Sequence, residues 1–256
     1  MTRRPRSRLR CLAAAAAAAA ALPALAYLLP TTAVLRLLGQ KRESLQLASL
    51  EVTGTLQADG PSADRVNAAA GRPGGSGVNV PARFLLKVPG RCRLEIAGAT
   101  PAESPSVVLR DGRVSGQGGL DGDPAAAALM HAVCALLATS TAGDASGAYA
   151  AALTRRGVSL TEETLGRFDG RLAYVIGGRA GDQKPLLYVD KDAFQPMRLI
   201  AAEGGALQDV RLLGWGSPTG GDWFPRAVEV VQGGALRIRF TAEKTSPNPK
   251  IPEGLL

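Results

Sequence analysis

The sequence predicts a mainly β, α+β domain built on a curled antiparallel sheet, an incomplete β-barrel with helices as a lid. Three observations carry this. Apolar and polar residues alternate with period two over many short segments, 31 glycines and 17 prolines punctuate those segments as turns, and helical spacing is confined to the start and middle of the chain. At 256 residues, 46% hydrophobic and 20% charged, the chain can bury a core and is too apolar for global disorder.

From Thr31 to about Ser44, Val34, Leu35, Leu37 and Leu38 cluster against a polar side of Arg36, Lys41 and Arg42, the pattern of a short amphipathic helix. The period then changes to two. Leu50, Val52, Gly54 and Leu56 alternate with Glu51, Thr53, Thr55 and Gln57, as in a half-buried strand. Residues 58–79 are rich in Gly, Ala, Ser and Pro, and the expectation there is a long, flexible hairpin loop.

Phe84, Leu86 and Val88 share the next apolar face, followed by Cys92, Leu94 and Ile96 with Arg91, Arg93 and Glu95 toward water. Residues 107–109 and 113–115 flank Asp111-Gly112, a strong two-residue hairpin signal. Asp123-Pro124 supplies an N-cap and a first-turn proline for a helix reaching about Thr139, which carries Leu129, Met130, Val133, Cys134, Leu136 and Leu137. A weaker helix is expected over 145–155. After Gly157 the pattern is strands again. Leu172, Tyr174 and Ile176 alternate, four further segments follow, and Leu236, Ile238 and Phe240 oppose Arg237, Arg239 and Thr241. Nine or ten strands result.

The first residues follow the export pattern. Arg3, Arg4, Arg6, Arg8 and Arg10 precede an apolar run from Cys11 to Leu29, and Ala24-Leu25-Ala26 offers a cleavage site. The expected organisation is a signal peptide over 1–26 cut after Ala26, an N-terminal helical segment over 27–46 that packs on the domain, and a single domain over 47–256. An uncleaved membrane anchor is the alternative, because the apolar run approaches spanning length. The five leader arginines leave a formal charge of only +3 from Tyr27 onward, out of +8 for the whole chain. That is ordinary solvated surface rather than a nucleic-acid footprint. Beyond Cys11 only Cys92 and Cys134 remain, an even pair in an oxidising compartment, either bridged or buried separately.

Reactive constellations are scarce. His131 is the single histidine and sits among apolar helix neighbours, so it reads as a satisfied or lid-edge residue. One histidine and two cysteines cannot complete a zinc site. There is no G-x-S-x-G elbow, and Gly116-Gln117-Gly118-Gly119 does not continue into a phosphate-binding fingerprint. Asp190-Lys191-Asp192 reads as a turn after a strand. No enzyme, cofactor or metal is expected.

Several segments resemble the LolA/LolB lipoprotein-carrier family: the helix leading into residues 45–50, residues 84–95, residues 187–192 with 196–199, and Gly221-Asp222-Trp223-Phe224-Pro225 before a strand. They occur in family order over most of Thr31 to Leu256. Where that family places an arginine before the proline of a strand end, this chain has Val88, and Trp215 and Trp223 are its only tryptophans. The resemblance implies an incomplete antiparallel barrel whose cavity takes lipid acyl chains in the periplasm.

An antiparallel sheet with one apolar face and few helices to cover it points the same way. Sheltering a sixteen-carbon chain from water is worth about 12 kcal/mol, which asks for apolar volume and no reactive group. The expected lining is Leu50, Val52, Leu56, Phe84, Leu86, Val88, Leu94, Ile96, Leu129, Met130, Val133, Leu137, Leu172, Tyr174, Leu236, Ile238 and Phe240. The expected function is a monomeric periplasmic binder or carrier of lipid or lipoprotein acyl chains. The alternative is an envelope sensor or scaffold that binds another envelope protein.

Overall fold

The computed structural model describes residues 28–98, 104–139 and 143–256. The leader and its cleavage site lie outside them. Helix α1 (Thr31–Glu43) opens the described chain, followed by β1 (Ser49–Asp59), α2 (Pro61–Ala69), β2 (Gly77–Lys87), β3 (Arg91–Ile96), β4 (Ser106–Arg110) and β5 (Arg113–Gly116). Helices α3 (Pro124–Leu137) and α4 (Ala145–Thr154) come next. The strands β6 (Glu163–Phe168), β7 (Arg171–Ile176), β8 (Leu186–Asp190), β9 (Pro196–Glu203), β10 (Ala206–Leu213), β11 (Ala227–Gln232) and β12 (Ala235–Pro247) complete the domain.

All twelve strands form one antiparallel sheet in the order β5-β4-β3-β2-β1-β12-β11-β10-β9-β8-β7-β6. It curls without closing into a barrel, as the alternation predicts. The sheet has twelve strands where the sequence predicts nine or ten, and the one with no counterpart among the expected segments is β6, an edge strand with little apolar contrast. At the centre β1 pairs with β12, from Leu50 opposite Pro247 to Ala58 opposite Ile238. The register slips at Gly54, where a Cβ would overlap the Thr241 carbonyl, so that strand crossing requires glycine.

The Asp111-Gly112 hairpin forms with both residues at positive φ, 52° and 75°, as a tight two-residue turn demands. Asp123 caps α3 by accepting from the Ala125 amide at 2.8 Å. Helix α3 then crosses the concavity of the sheet and touches β3, β4 and β5 on one side and β9 to β12 on the other. Helix α1 packs on α4, where Gly39 lets Ala145 approach the helix backbone.

Three expectations are corrected here. The supposed loop over 58–79 contains α2, with Ala63 and Val66 buried on the sheet beside Ser62 and Asn67. Pro61 at its first turn and Asp64 beside it are helix-start signals that the glycine-rich tail obscured. The sheet is also not one-sided. Across β7 to β9 the outer face holds a second cluster of Ala173, Val175, Leu186, Tyr188, Met197 and Ile200. The Arg198 guanidinium roofs it, 5.4 Å from the Phe168 ring centre and 5.2 Å from that of Tyr188, and is fixed by Asp209 at 2.6 and 2.8 Å. Arg42, placed on the polar side of α1 by periodicity, is buried.

Candidate functional site

The concave face is densely packed. Leu50, Val52, Leu56, Phe84, Leu86, Leu94, Ile96, Leu129, Met130, Val133, Leu137, Tyr174, Ile238 and Phe240 all belong to one packed core. Phe84, Phe224 and Phe240 stack at its centre, with Phe84 and Phe240 edge to face at 4.8 Å. Val88 and Leu236 are half-buried, and Leu172 is exposed at 40% near the β6 edge, where cover runs out. Fourteen of the seventeen expected lining residues thus pack in the core. The reason is α3: eleven of its fourteen residues are buried, so it fills the space a guest would need.

The C-terminal end of α3 is held by its neighbours. The last carbonyls of a helix lack internal partners, and here each finds one. The Tyr149 hydroxyl of α4 donates to the Leu136 carbonyl at 3.1 Å, Arg42 Nη2 of α1 to that of Leu137 at 3.0 Å, and the Gly90 amide to that of Ala138 at 2.7 Å. Burial pushes the Tyr149 phenol up to about 12, so it stays a donor throughout the physiological range. Cys92 and Cys134 are bridged, with Cα atoms 5.9 Å apart, and tie α3 to β3.

Beside this anchored end a groove of about 680 Å³ opens to solvent. The turn residues Pro89 and Gly90, the β4–β5 tip (Leu109, Asp111, Gly112, Arg113), α3 with its exit (His131, Cys134, Ala135, Thr139) and the end of α4 (Ala152, Arg155, Arg156) line it. Its size falls in the ordinary range of small-molecule sites. None of the seventeen expected lining residues borders it. The sequence signals that could have found it are the Arg155-Arg156 pair ending an apolar helix and the arginine just past a hairpin tip.

His131 forms part of the groove wall and sits where lid-edge logic placed it. Its Nδ1 lies 2.7 Å from Glu203 Oε2, and Arg156 Nη1 reaches the same oxygen at 3.1 Å. Nε2 is buried without a hydrogen-bond partner. Behind it, against β9 and β10, the buried amide of Gln208 also finds none. A histidine oriented by a carboxylate resembles half of a catalytic pair, but the described lining residues supply no nucleophile to activate. Cys134 is in the disulfide, and the Thr139 hydroxyl donates to the Ala135 carbonyl at 2.6 Å. Asp190, in the expected turn after a strand, accepts from the amides of Asp192 and Ala193 and pairs with Arg171 at 2.8 Å, which is a turn-stabilising role.

Burial and then the Arg156 charge hold the His131 imidazolium below its usual pKa of 6.5, with Glu203 opposing only in part. The unfolded chain therefore takes up a proton that the folded chain refuses until lower pH. Stability is full above the unfolded pKa, falls as pH drops through the window between the two values, and levels off below the folded one. His131→Gln is expected to flatten that slope, measured as the difference in urea-unfolding free energy between about pH 7.5 and about pH 5.5. An unchanged slope in the variant would assign the effect to other groups.

No family model matches the chain, and no curated protein does either. Solved structures similar to it include a LolA superfamily protein from Nitrosomonas europaea, at 11% identity over 89% of this chain and 97% of that one, with a TM-score of 0.48. A DUF1329 family protein from Desulfovibrio piger is 11% identical over 88% of this chain and 96% of that one, at 0.44. MucB in complex with the periplasmic part of MucA is 16% identical over 86% of this chain and 56% of that one, at 0.30.

Proposed function

We propose that this protein is an exported, non-enzymatic binder or carrier of a lipid acyl chain in the periplasm, and that the chain is held in the groove beside α3 rather than within the sheet. The groove carries this reading: it is of ligand size, joins apolar wall residues to a polar rim, and has no nucleophile among its described lining residues. Leu109, Pro89, Ala135 and Ala152 supply apolar surface, and each methylene they shelter from water contributes about 0.8 kcal/mol. The ordered sequence resemblance and the leader pattern point in the same direction. Partial desolvation in an open groove gives reversible binding, which suits a carrier better than the irreversible burial of a closed core.

Native mass spectrometry of protein purified from a periplasm is expected to show a co-purifying lipid. Ala135 is half-buried on the groove side of α3, so Ala135→Phe fills the groove without entering the core. That variant is expected to lose the lipid while keeping its fold by circular dichroism. A wild-type protein that arrives free of ligand and takes up no fluorescent fatty acid would refute the proposal.

A further inference from the structure

The groove has an uncompensated charge. Arg113 on the β4–β5 hairpin and Arg155 at the end of α4 line it from different elements, and both are exposed. Neither side chain makes an ion pair or hydrogen bond among the described residues, whereas Arg83, Arg93, Arg171, Arg198, Arg211 and Arg239 on the sheet each meet a carboxylate. Arg156 is engaged by Glu203, and burial, with the neighbouring Arg155 charge adding to it, lowers its pKa. Asp111 is the one carboxylate among the described lining residues. With Arg156 paired to Glu203, Arg113 and Arg155 against Asp111 leave a net positive rim above an apolar wall. Unpaired guanidinium groups with fixed forks are suited to bidentate capture of a carboxylate or phosphate.

We infer that the ligand is a single-chain anionic amphiphile, whose carboxylate or phosphate head sits between Arg113 and Arg155 while its chain lies along Leu109, Ala135 and Ala152. This rests on the groove being the binding site. Neutral chains of equal length would gain the apolar contact and lose the paired charges.

Calorimetric titration of the exported chain with palmitate, hexadecyl phosphate and hexadecanol separates the cases. Both anionic ligands are expected to bind at least about tenfold more tightly than the alcohol at low salt, with the margin shrinking as salt rises. The ratio of palmitate to hexadecyl phosphate distinguishes a carboxylate from a phosphate site. Arg113→Gln/Arg155→Gln, at two exposed positions, is expected to erase the margin and leave hexadecanol binding unchanged. Equal affinity for all three ligands, unaltered in the double variant, would overturn the anionic head and leave acyl binding standing. Failure of all three to bind the folded protein would overturn both.

Discussion

Replacing Cys92 and Cys134 together by alanine is expected to lower folding stability by about 4 kcal/mol, the chain-entropy value for a loop closed over a 42-residue separation. Both sulfurs are buried, so the variant also loses packing between α3 and β3. The loss should appear as a fall in the urea midpoint, and adding reductant to the unaltered protein should reproduce most of it. Thiol labelling of denatured, unreduced protein starting at Tyr27, which lacks Cys11, is expected to find no free thiol. Two labelled thiols would refute the bridge. The bridge also bears on the proposed ligand site, because Cys134 borders the groove and its tether fixes that wall.

Arg42→Met is expected to cost at least about 3 kcal/mol. The guanidinium is buried and donates to the carbonyls of Asp222 and Trp223, each at 3.1 Å, and to that of Leu137 at 3.0 Å. Burial lowers its pKa, yet three backbone oxygens meet its charge, while the Asp222 carboxylate is taken by Lys41 at 2.7 Å. A buried ion pair can be replaced on both sides by apolar groups, but backbone carbonyls cannot be removed. Methionine fills the volume and leaves all three without a donor. Arg42→Lys should rescue only part, since one ammonium cannot reproduce the fork. A methionine variant within about 1 kcal/mol of the parent in urea unfolding would show that those carbonyls find other partners.

Legibility of the sequence followed the strength of local contrast. Strong alternation in 84–96 and 236–241 and a capped, proline-started α3 were readable because each local signal agreed with the final environment. Helix α2 was hidden because two of its buried residues, Ser62 and Asn67, are polar, which erased the amphipathic stripe. The run Leu186-Leu187-Tyr188-Val189 is apolar without alternation, a sign of burial on both faces, and the second cluster is where that sign leads. The groove was the least legible feature. It is assembled from hairpin tips and helix ends far apart in the chain, and its residues carry no shared period. Its chemistry depends on which arginines lack partners, a property that exists only after folding.

The central pairing of β1 with β12 has a consequence for biogenesis. Leu50 and Pro247 are neighbours in the sheet although 197 positions separate them, so the first strand waits with one flank unsatisfied until the last has emerged. Contacts of such long range slow folding and leave an adhesive edge open in the meantime. If the chain is exported as proposed, stepwise delivery through a translocation pore would prolong that half-built state.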